Sequence, residues 1–99
     1  MIKTHRDILA SLEANRAAIR SLGVVRLGLF GSSARDEARE GSDLDFVVQF
    51  ESKSFDGYMA LKGYLEELFG CRVDLVLEDA IKPRLREAIL KEAIHATGL

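Results

Sequence analysis

Residues 42–50 read SDLDFVVQF. Side chains alternate across a β-strand, so Leu44, Phe46, Val48 and Phe50 share one face, and Asp43, Asp45 and Val47 share the other. The first set suits a buried face. The second sets two carboxylates beside a valine, so the strand carries charge where a plain solvent-facing edge would take any polar residue. Upstream, VVRLGLF at 24–30 is β-branched and apolar and reads as a first strand. Downstream, residues 72–77 read RVDLVL, a third strand with Val73, Leu75 and Leu77 on one face and Asp74 on the other. If the apolar faces meet helices, Asp43, Asp45 and Asp74 point to the opposite side and can converge.

Between the strands the chain alternates with helical patterns. Thr4 and Asp7 resemble a capping box, followed by Ile8, Leu12, Ile19 and Leu22 at helical spacing, with Gly23 as the stop. Ser33 to Arg39 has room for a short helix. Ser54 caps a longer one expected to bury Phe55, Met59, Leu65, Leu68 and Phe69 and to end near Gly70. Pro83 opens a last helix carrying Leu85, Ile89 and Ala93. The order is αβαβαβα: an α/β (α+β) chain with a small three-stranded mixed sheet and about four helices. The second and third strands, joined through a full helix, are expected to be parallel. The short link between the first two leaves their relative direction open.

Composition narrows the function classes. Ninety-nine residues make one domain, 1–99, with 47% hydrophobic and 30% charged residues and a net charge of −2. No basic patch argues for direct nucleic-acid binding. The single cysteine, Cys71, excludes an internal disulfide and fits a reducing compartment. Neither a secretory signal nor an apolar run of membrane-spanning length is visible, so a cytoplasmic protein is expected.

The carboxylates point to chemistry. Paired carboxylates raise one another's pKa unless a cation sits between them, and hard oxygen donors without histidine or thiolate favour Mg²⁺ over zinc. Cα atoms two residues apart on a strand are roughly 6–7 Å apart, so Asp43 and Asp45 can reach two ions. Taken singly, either aspartate has an ordinary reading, Asp43 as the cap of the Gly41-Ser42 turn and Asp45 as a solvated strand residue. Upstream, Gly31-Ser32 follows the first strand and leaves backbone amides to hold phosphate oxygens. Neither the Walker A loop nor the dinucleotide-binding glycine pattern is present.

Gly31-Ser32, then Asp43-x-Asp45, then a later strand aspartate, resembles the signature of the DNA polymerase β-like nucleotidyltransferase superfamily. The small size, GSSAR at 31–35, SDLDFVVQF and the ending IKPRLREAILKEAI at 81–94 look most like its minimal members, the MNT family. The resemblance runs from Leu27 to Ala93. It implies the nucleotidyltransferase fold, with Asp43 and Asp45 holding two Mg²⁺ ions and Asp74 binding the catalytic ion and helping to take a proton from the attacking hydroxyl. Gly31 and Ser32 would hold the triphosphate of ATP, and Arg35 could add a phosphate contact; otherwise Arg35 pairs with Asp36 or Glu37. One departure stands out: members of the family often carry glycine where this chain has Asp36, whose charge would repel a phosphate unless it points away.

The resemblance further implies a partner, a HEPN-domain ribonuclease toxin, with AMP passed from ATP to a toxin tyrosine and this chain acting as antitoxin. Two other readings are an antitoxin that works by contact alone and a transferase acting on a small molecule. His5 and His95 lack ligand spacing and read as surface residues, as do Lys82, Arg84 and Arg86.

Overall fold

The computed structural model describes residues 4–37, 39 and 41–99. Thr4 begins it with the expected capping box: its hydroxyl accepts from the Asp7 amide, and the Asp7 carboxylate accepts from the Thr4 amide. Such a cap contributes about 1 kcal/mol. Helix α1 (His5–Ala14) buries Ile8 and Leu12, and α2 (Arg16–Ser21) buries Ile19. The single helix expected here is broken at Asn15. Its side-chain amide donates to the Ser11 carbonyl and its Oδ1 accepts from the Tyr64 hydroxyl, so the residue is tied to two elements at once.

Four strands follow in the spatial order β3-β2-β1-β4. β1 (Val24–Phe30) and β2 (Leu44–Phe50) are antiparallel, which resolves the direction that the short link left open. β2 and β3 (Val73–Leu77) are parallel, as expected, and α3 (Phe55–Phe69) makes the crossover between them. The fourth strand, β4 (Ile94–His95), pairs antiparallel with β1 and adds one strand to the expected three. Two residues cannot show a periodicity, and β4 exists because β1 offers an open edge. After β3 come a short 3-10 turn (Glu78–Ala80) and α4 (Pro83–Glu92).

The core lies between one face of the sheet and α1, α2 and α3. Leu27, Leu29, Phe46, Leu61 and Leu65 are fully buried there, and the rings of Phe46 and Phe69 stack with centroids 5.9 Å apart. Ser54 caps α3 by accepting from the Gly57 amide, and Gly70, in the left-handed region at φ 66°, ends it. Two residues expected to be buried by α3 are not: Phe55 is 77% exposed and Met59 46%. They sit in its first turns, where Phe55 lines an open cavity with Phe50 and Leu77. α4 likewise buries no residue, and Leu85 on it is exposed. Among the described residues no helix is long and apolar enough to cross a membrane.

Candidate active site

The register of the sheet assembles the site. Phe30 on β1 faces Asp45 on β2, and Asp45 faces Asp74 on β3. Gly31, the residue after Phe30, therefore arrives directly beside Asp45. The distance in sequence between the glycine and the aspartates is thus a property of the hairpin: antiparallel pairing brings the end of β1 to the start of β2. Asp43 stands just ahead of β2, which begins at Leu44, and Leu44 is anchored by its amide donating to the Arg72 carbonyl. The site lies at one end of the sheet. Farther along β2, Val47 on the same face is already buried.

Gly31 has φ +77°, a region that side chains rarely occupy, and a Cβ built there would run into the Asp45 carboxylate. Glycine is required on both counts. The expected helix over 33–39 does not form among the described residues. Residues 32–36 make tight turns, with the amides of Ala34, Arg35 and Asp36 donating to the carbonyls three residues back. Ala38, within the expected helix, lies outside the described residues. Among the described residues, the amides of Ser32 and Ser33 have no protein acceptor, and the buried Ser33 hydroxyl also lacks a partner.

The carboxylates act on one another. The Asp45 carboxyl is held above its ordinary pKa, first by burial, then by the charges of Asp74 and Asp43; Arg35 pulls it back down and Glu92 adds to the rise. Asp43 and Asp74 are exposed. The three face a shared field, yet they are not drawn into a closed cage. Among the described residues no group of three Asp, Glu, His or Cys side chains is gathered closely enough to hold a metal ion. In donor chemistry the set still suits a hard divalent cation: all its ligands are oxygen, and the half-buried Asp45 is the kind of group whose charge a cation relieves.

Asp36 does not face the site. Its φ of +57° places it in the left-handed region, which is the physical reason glycine suits this position. Its carboxylate turns back to α1, accepting from the His5 amide at 2.7 Å and meeting His5 Nδ1 at 2.7 Å. The His5 amide, ahead of the ring, holds the Asp36 carboxyl below its usual range. His5 thus has a structural use that no spacing along the chain announces. Arg35 pairs with Glu37 at 3.3 Å, as its ordinary reading expects, and also with Glu92. Glu92 was not anticipated. It ends α4, far along the chain from Gly31, and its Oε1 accepts from the Gly31 amide at 2.8 Å. The remaining basic residues of α4 are exposed or half-buried, with Arg86 donating to the carbonyls of Asp79 and Ile81.

Comparison with known proteins agrees with this geometry. The nucleotidyltransferase domain family model matches residues 4–95. The protein adenylyltransferase MntA of Thermococcus cleftensis is 38% identical over 94 residues, covering 93% of this chain and 95% of its own length. A solved structure assigned as a minimal nucleotidyltransferase is 49% identical, with a TM-score of 0.73 over 87% of this chain and 93% of its own. A chain from the complex of tri-AMPylated HEPN toxin with MNT antitoxin of Shewanella oneidensis, 19% identical, shares the fold at a TM-score of 0.56 over 84% of this chain and 69% of its own. With the glycine bend, the aspartate pair and the register that joins them all in place, the chain belongs to the nucleotidyltransferase domain family, in its minimal form.

Proposed function

We propose that this chain is a Mg²⁺-dependent protein adenylyltransferase that moves AMP from ATP to a tyrosine of a partner HEPN-domain toxin, and so acts as its antitoxin. The observation that carries the reading is the register pairing of Asp45 with Asp74 beside Gly31. It is supported by relatives that are protein adenylyltransferases and by the likeness of fold to a chain from a toxin–antitoxin complex.

Asp43, Asp45 and Asp74 are the residues that would hold magnesium. When bound, the metal would offset the charge of the triphosphate and stabilise the leaving pyrophosphate. The Ser32 amide would meet a phosphate oxygen, and Gly31 and Arg35 would join it once their contacts with Glu92 are given up. In the transfer, the tyrosine oxygen forms a bond to the α-phosphorus, the bond from that phosphorus to the bridging oxygen breaks, and pyrophosphate leaves. The tyrosine proton would pass to a carboxylate; Asp74 is our candidate, and its exposure on the edge strand β3 supports the choice.

An antitoxin working by contact alone would be favoured if the Asp36 charge kept phosphate out of the site. The Asp36 carboxylate turns to His5 instead, which supports the catalytic reading. The test is direct. Incubate the chain with ATP labelled at the α-phosphate, Mg²⁺ and the protein encoded beside it. Label should pass to the partner and vanish with the Asp43→Asn, Asp45→Asn double variant. No transfer, or labelling that survives the double substitution, overturns the proposal.

A further inference from the structure

The Glu92 carboxylate occupies donors of the glycine bend. One oxygen, Oε1, accepts from the Gly31 amide at 2.8 Å and from Arg35 Nη1 at 2.5 Å. A carboxylate and a phosphate ask a site for the same things, N–H donors and a guanidinium. The Gly31 amide has a single hydrogen, so a phosphate oxygen cannot take it while Glu92 does, and Arg35 is held toward the same carboxylate. The seat is built for an anion and is filled by one from the chain itself.

The surroundings make the contact easy to release. Glu92 and Arg35 are both partly exposed, with side-chain exposures of 36% and 48%. α4, which ends at Glu92, buries none of its residues, so swinging this carboxylate away disturbs no packing. The neighbouring charges favour release as well: Glu92 shares its space with Asp45 and, through Arg35, with Glu37.

We propose that Glu92 is an internal competitor for the nucleotide's phosphate, holding the Gly31–Arg35 seat until a triphosphate displaces it. This rests on the reading of the site as a nucleotide site. The contact sets a threshold: a seat occluded in about nine molecules of ten lowers apparent affinity about tenfold. Arg35 would pass from Glu92 to phosphate, so the same guanidinium serves both states.

Calorimetric titration of the full chain with MgATP, and separately with inorganic tripolyphosphate, distinguishes the outcomes. The parent is compared with Glu92→Gln and Glu92→Ala at one ionic strength. Both variants should bind both ligands more tightly, by about 5- to 10-fold, Ala at least as strongly as Gln. If the parent binds but the variants bind no better, or more weakly, Glu92 merely props the turn and the inference falls while the nucleotide site stands. If none of the three binds either ligand, the site reading itself fails and the inference with it. Should Glu92→Ala lose its fold by circular dichroism, the isosteric Gln variant decides alone.

Discussion

On one side of β2, Leu44, Phe46, Val48 and Phe50 are buried against the helices, while at the start of the other side Asp43 and Asp45 stand with Asp74 across the register. The packed side gains free energy from every apolar contact. The acidic side does the reverse: it holds like charges within reach of one another and half-buries one of them. β2 thus carries a stabilising face and, at its start, a half-buried charge that opposes folding. The lesson is that the hydrophobic face supplies the rigidity that keeps repelling carboxylates in register.

The largest effect should come from breaking the packed side. Phe46→Ala removes a fully buried ring stacked on Phe69 and should cost about 3–5 kcal/mol in urea denaturation, a large part of a small domain's stability.

Next comes the acidic side, where function and stability should move in opposite directions. Asp45→Asn should lower AMP transfer by about 10³-fold or more, yet raise the melting temperature by a few degrees at neutral pH. The sign follows from the raised carboxyl. A group whose native pKa lies above its unfolded value gives its full stability below the unfolded pKa and loses it as pH rises through the native one. The gain in the Asn variant should therefore be absent in acid and grow toward neutrality, read from melting curves across that range. A variant less stable than the parent at neutral pH would mean that Asp45 is a net structural support.

A smaller effect is expected at the joint between the two sides. Gly31→Ala forces a side chain into the left-handed region and against Asp45, costing about 1–3 kcal/mol and lowering transfer about 100-fold. The smallest belongs to Asp36→Gly. It relieves the backbone but gives up the His5 contact, so the melting temperature should hardly move, and ATP affinity should not change because Asp36 faces away. A clear rise in affinity would show that its charge is felt at the phosphate.

Much of this was legible along the chain. The alternation in SDLDFVVQF assigned the two faces of β2 before any coordinates, and Thr4 with Asp7 marked the start of α1. The parallel pairing of β2 with β3 followed from the helix between them. Other features had no local signal. The link from β1 to β2 was short enough for a hairpin and long enough for a small helix, so direction was undetermined, and the turns at 32–36 took the place of that helix. Phe55 and Met59 have helical spacing, but periodicity cannot say which turns of a helix the core covers. Glu92 is one acid on an exposed helix, and its contact with Gly31 is a fact of tertiary approach. The metal expectation was legible as donor chemistry, whereas the described residues form no closed cage.

The parallel pairing of β2 with β3 also times the birth of activity. Antiparallel neighbours such as β1 and β2 can zip as soon as both have left the ribosome, but Asp74 cannot meet Asp45 until the α3 crossover has emerged and docked. A chain released before β3 docks therefore lacks the pairing on which the proposed site depends. The Asp45–Asp74 pairing thus marks the docking of the α3 crossover, while α4 and β4 still follow.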